Sequence, residues 1–107
     1  MDPHCREITS VILPAIRASI ALKLKNEHGF TQQEIAKKLG IAQAAVNKYL
    51  KGNCSKKVSE MRTYIAKAGL SDPIVDEIAN GASPEKIADS IDRLCAEKSL
   101  RAMAGAL

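Results

Sequence analysis

A chain of 107 residues that is 46% hydrophobic and 26% charged is too apolar for a disordered tract and large enough to bury one modest core. Two tyrosines, one phenylalanine and no tryptophan, without alternation of apolar and polar residues, argue against a sheet. The net charge of +4 is a weak sign by itself, but its placement along the chain is informative.

Asp2-Pro3 supplies a cap and a first-turn proline for a helix. Ile8, Ile12, Ile16, Ile20 and Leu24 follow as an i, i+4 row, joined by Val11 and Ala15. This helix is expected to reach about Glu27 and stop at Gly29, with a kink or break near Leu13 because Pro14 removes a backbone donor. Its apolar part, Val11–Ile20, contains Pro14 and Arg17 and is shorter than the roughly 18 residues of a membrane span. No basic leader or cleavage site accompanies it, so the expected location is the cytoplasm, where three cysteines stay reduced.

Phe30–Gly52 reads FTQQEIAKKLGIAQAAVNKYLKG. Thr31 and Glu34 have the spacing of a capping box, and Phe30 and Ile35 that of a hydrophobic staple. A first helix runs to Leu39 with Ile35 and Leu39 inward, and Ala36 on that face is small enough for a second helix to cross closely. Gly40 suits a sharp turn with positive φ, and Ile41 fills its corner. A second helix, about Gln43 to Leu50, turns Val46, Tyr49 and Leu50 inward and Gln43, Ala44, Asn47 and Lys48 outward. Two short helices around a glycine turn predict a helix-turn-helix at 31–51.

Further on, Lys57–Ala68 forms a helix with Val58, Met61, Tyr64 and Ile65 inward, ended by Gly69. Asp72-Pro73 opens a short helix with Ile74, Val75 and Ile78, closed near Gly81. Ser83-Pro84 opens the last, with Ile87, Ile91, Leu94 and Cys95 on one face, continued by Leu100, Met103 and Leu107. The expected fold is all-α, a five- to six-helix bundle forming a single domain over 1–107. Within it, residues 1–70 form a DNA-binding core and 71–107 a helical dimerisation element. Ile87, Ile91 and Leu94 are the strip expected to lack cover within one chain.

Charge follows the same division. Residues 31–59 hold six lysines (Lys37, Lys38, Lys48, Lys51, Lys56 and Lys57) against Glu34 alone, whereas 71–107 hold seven acids against four bases. A basic middle is the footprint of a polyanion-binding face.

The 31–51 segment resembles the helix-turn-helix of the phage-repressor-like (XRE/Cro) superfamily. Cys5–Ala21, with its VILPAIRA phrase, is similar to a group of predicted archaeal transcriptional regulators within it; residues 53–107 match only loosely. The resemblance implies that Gln32 binds a phosphate and that Gln43, opening the recognition helix, contacts bases. The next outward positions are Ala44, Asn47 and Lys48. The family's usual Ser or Thr cap is replaced by Ala42, at a local cost of about 1 kcal/mol, so this end is expected to order fully only on DNA.

Side-chain chemistry fits those places. Gln43 and Asn47 suit adenine, Ala44 a thymine methyl, and Lys48 guanine or phosphate. Lys51, Lys56 and Lys57 are placed to grip the backbone, whereas Lys37, Lys38, Arg17 and Lys23 read as solvated surface. The expected function is a sequence-specific regulator, repressor or activator, binding double-stranded DNA as a homodimer on a near-palindromic operator. A helical adapter that binds proteins through the same fold is the alternative, and an exposed face without apolar anchors argues against it.

Nothing points to catalysis: His4 and His28 have no paired nucleophile, and no phosphate-binding glycine loop is present. Cys5, Cys54 and Cys95 leave several readings open. Three thiolates are enough for a three-point iron–sulfur cluster, or for a metal with His4 as fourth ligand. They also suit a thiol redox switch. The resembled archaeal group tends to carry a CxxC in its last helix, and Cys95–Lys98 lacks the second thiol. Cys95 is otherwise a small core residue.

Overall fold

The computed structural model describes residues 8–106. Its longest helix, α1 (Leu13–His28), grows directly out of one π-helical turn at Ile8–Ile12. The junction falls where Pro14 was expected to disturb the helix. Proline cannot return a hydrogen bond to the preceding turn and its ring crowds the carbonyl there, which favours a wider turn ahead of it. The Asp2-Pro3 start lies outside the described residues.

The hub of the fold is α1. Ile12, Ile16, Ile20 and Leu24 are fully buried in the expected row, and Ala15, Ala18, Ser19 and Ala21 are buried as well. A helix covered on nearly all sides belongs in the interior. Around it pack α2 (Gln32–Leu39), α3 (Gln43–Leu50), α4 (Lys56–Ala68), α5 (Asp72–Ala79) and α6 (Pro84–Cys95). The small side chains of α1 allow those close approaches. Serines set two of the starts: Ser55 Oγ accepts the Val58 N–H at 3.2 Å ahead of α4, and Ser83 Oγ accepts the Lys86 N–H at 3.2 Å ahead of α6.

The chain does not continue as one helix beyond Cys95. A break at Ala96 and Glu97 separates α6 from α7 (Lys98–Ala106), giving seven α-helices among the described residues rather than five or six. Leu100 supplies the reason. Five residues on from Cys95, an unbroken helix would carry it about 140° around the axis, away from the Ile87/Ile91 face. The break lets Leu100 be fully buried, with α7 against the π-turn and α4.

A second expectation is corrected in the same region. Ile87 and Ile91 are buried within the chain itself and Leu94 is half-buried, so the strip expected to lack cover is largely covered by α6's own neighbours, α5 and α2. Polar contacts hold this half to the first. Ser19 Oγ and Ser71 Oγ, both buried, share a hydrogen bond of 2.9 Å. Lys23 is ion-paired with Asp72, and Lys38 Nζ donates to the Ala82 carbonyl at 3.2 Å. Lys23 and Lys38 are therefore structural cations, not free surface. Arg17 also departs from the solvated reading: it is half-buried, and its Nε has no hydrogen-bond partner among the described residues.

Candidate nucleic-acid interface

Local chemistry sets the frame of the interface. Thr31 Oγ1 accepts the Glu34 N–H at 3.1 Å and Glu34 Oε1 accepts the Thr31 N–H at 3.0 Å, which satisfies two free donors at the head of α2. These bonds favour the charged carboxylate and hold Glu34 below its ordinary titration range. At the other end Gly40 sits at φ 66°, in the left-handed region where glycine bears no Cβ penalty. Ile35 and Val46 are fully buried and Ala36 nearly so, while Leu39, Ile41 and Leu50 pack at the edge of the core. The pair α2–α3 is thereby pinned to α1.

Ala42 precedes α3 in extended conformation (φ −71°, ψ 149°) and offers no side-chain cap. The expected ordering on DNA alone is not needed, since α3 is helical from Gln43. Its carbonyl accepts the Ala45 and Val46 N–H groups. The helix begins with undecorated backbone donors, and the first turn holds no acidic residue. Such an end favours an anion.

The outward face of α3 carries the expected side chains. Gln43, Ala44 and Lys48 are exposed. Asn47 is half-buried, because its Oδ1 accepts a hydrogen bond from Gln32 Nε2 at 3.1 Å. That contact joins the first residue of α2 to the middle of α3. Spacing alone did not reveal it, since the two residues lie 15 positions apart.

Lys51, Lys56 and Lys57 are all exposed and lie at the C-terminal end of α3 and the start of α4. Lys56 and Lys57 occupy the first turn of α4, which itself holds no acidic residue, Glu60 following one turn on; there the macrodipole disfavours cations by about 0.3–1 kcal/mol each. A polyanion across that turn reverses the sign of this term. No carboxylate occurs between Glu34 and Glu60. The surface that combines α3 with these lysines carries positive charge and no carboxylate from 35 to 59, and its aromatic side chain, Tyr49, is half-buried. It can offer amide donors and acceptors, a methyl group and ammonium groups to a duplex, which is the set used on base edges and phosphates.

Two of the three cysteines, Cys54 and Cys95, lie among the described residues. Cys95 is buried on the inner side of α6, and burial, with the nearby Asp92 charge, pushes its thiol up while Arg17 opposes this. Cys54 is half-buried between α3 and α4. Cys5 and His4 lie outside the described residues, and among those described no three His, Cys, Asp or Glu side chains are grouped to hold a metal.

Two short helices crossing at a glycine turn, with a polar outer face and basic flanks, define a helix-turn-helix of the DNA-binding kind. Residues 20–60, less than half of the chain, match the family model described as Helix-turn-helix, and the motif is of the phage-repressor-like type. No curated protein and no solved structure matches the chain. Among the described residues no helix is long and apolar enough to cross a membrane.

Proposed function

We propose that the chain is a sequence-specific transcriptional regulator in which α3 enters the major groove of its operator. In this reading Gln43, Ala44, Asn47 and Lys48 meet base edges, and Gln32, Lys51, Lys56 and Lys57 meet phosphates on either side. The observation that carries it is the exposed Gln43/Ala44/Lys48 face of α3 in a stretch free of carboxylates from 35 to 59. A protein-binding face would instead present apolar or aromatic anchors.

One recognition helix reads few base pairs, so two copies on a near-palindromic site, about one helical turn apart, are part of the proposal. In this proposal the pairing surface lies within 71–107, where Leu94 and Met103 are partly exposed apolar residues. Selection of duplexes from a random pool, followed by light scattering of the complex, tests both parts. The expected result is an inverted repeat bound by two copies, with affinity falling steeply as salt rises. A selected site without symmetry, bound by one copy, contradicts the dimer. Failure to enrich any duplex contradicts the reading as a whole.

A further inference from the structure

A cleft of about 270 Å³ lies between α1 and α4, on residues outside the proposed DNA contacts. Ser19, Leu22 and Lys23 line it from α1, and Arg62, Thr63, Ala66 and Lys67 from α4. Leu22 and Ala66 provide apolar surface, and three cations stand around it. None of its lining residues is acidic, whereas three other clefts on the chain are each lined by two or three carboxylates. Lys23 is already matched by Asp72. Arg62 and Lys67 form no ion pair among the described residues.

From this juxtaposition of an apolar floor and two unmatched cations, we propose that the α1–α4 cleft is a binding site for a small monocarboxylate with an apolar body. The Arg62 guanidinium is built to take a carboxylate through two parallel N–H bonds, and Lys67 adds a second positive charge. Leu22 and Ala66 take the hydrocarbon part. Size decides against a protein partner. The lining spans five residues of α1 and six of α4, about 8–9 Å along either helix, and a docking helix is itself about 10–12 Å across. The volume falls just below the range of about 300–1,000 Å³ that houses drug-sized ligands. A ligand of benzoate or hexanoate size fits that limit, and a long acyl chain does not. The proposal concerns α1 and α4 alone and does not depend on the reading of α3.

Benzoate is the probe. Backbone amide shifts of the full chain, followed by NMR while benzoate is added, are expected to move saturably around residues 19–23 and 62–67, with Kd on the order of 1 mM. Acetate supplies the charge without the ring, and benzyl alcohol the ring without the charge; both are expected to bind at least tenfold more weakly. Arg62→Gln is expected to weaken benzoate binding at least tenfold. Lys67→Gln covers the case in which Arg62→Gln disturbs the fold, and the amide spectrum of each variant reports folding directly. Benzyl alcohol binding as well as benzoate would overturn the proposal, as would shifts confined to Lys56 and Lys57 or no saturable shift at all.

Discussion

Gln32 Nε2 donates to Asn47 Oδ1 at 3.1 Å, tying the first residue of α2 to the exposed side of α3. The bond takes one of the two lone pairs of the Asn47 carbonyl and leaves the other, with the amide N–H groups, to offer a groove. Bidentate pairing with adenine, one of the roles expected for Asn47, uses that second lone pair together with an N–H, and the bond from Gln32 sets which way the amide faces. Gln32 keeps a second N–H for a phosphate. The grip on the backbone and the reading of a base are in this way joined through one amide.

The first prediction follows directly. Gln32→Met keeps length but removes the donor, and should broaden base preference at the position read by Asn47, with about 1–3 kcal/mol of discrimination at stake. Selection of duplexes by the variant measures it. An unchanged base preference would separate Asn47 from Gln32.

The bare start of α3 gives a second. Ala42 already has the extended backbone of a cap, so Ala42→Ser should add a side-chain acceptor without strain. A gain of about 0.5–2 kcal/mol is expected, seen as a Tm higher by several degrees. Thr31→Ala should lower stability by a similar amount, because there the cap exists. A lower Tm for Ala42→Ser would mean that the first turn of α3 is held by something other than its backbone.

Titration gives a third. The hydrogen bonds from Thr31 hold the Glu34 carboxylate below its ordinary value of 4.5. The folded chain therefore binds a proton less readily than the unfolded one, and the stabilisation is complete above about pH 4.5. It is lost as pH falls through the folded value. Glu34→Gln keeps a capping-box side chain but does not titrate. Its stability should fall less than that of the parent chain on acidification, as measured by urea unfolding at successive pH values. Identical pH dependence in both proteins would contradict the role given to Glu34.

Much of the interface is legible from sequence because short-range chemistry builds it. Thr31 and Glu34 declare the start of α2, Gly40 its end, and Ala42 the missing cap, all within a dozen positions. The break between α6 and α7 has no such marker. It is imposed by the burial of Leu100 against the π-turn and α4, and neither glycine nor proline stands at Ala96 or Glu97. The same holds for Lys23–Asp72 and Lys38–Ala82, which join residues 49 and 44 positions apart. A lysine bound to a distant carbonyl looks the same in sequence as one in water. Cover for Ile87 and Ile91 likewise depends on tertiary packing.

The thiols give a fourth prediction. Cys95 is buried and its ionisation is disfavoured, whereas Cys54 is only half-buried. Iodoacetamide should therefore label Cys54 well before Cys95 in the folded chain, as peptide mass spectrometry can follow. Burial of the labelled atom sets the order, because the thiolate is the reacting form. Faster labelling of Cys95 would mean that α6 opens readily from the core.

The proposal that α3 reads DNA is tested most directly by comparing Gln43→Ala with Lys56→Ala on a selected duplex and on an unrelated one, using fluorescence anisotropy across a salt series. Gln43 is exposed on the recognition face and Lys56 in the first turn of α4. Gln43→Ala should lose about 1–3 kcal/mol on the selected duplex only and keep the parent salt slope. Lys56→Ala should lose affinity for both duplexes about equally, with a salt slope lower by about one. Equal losses from both variants on both duplexes, or binding that does not respond to salt, would contradict the account.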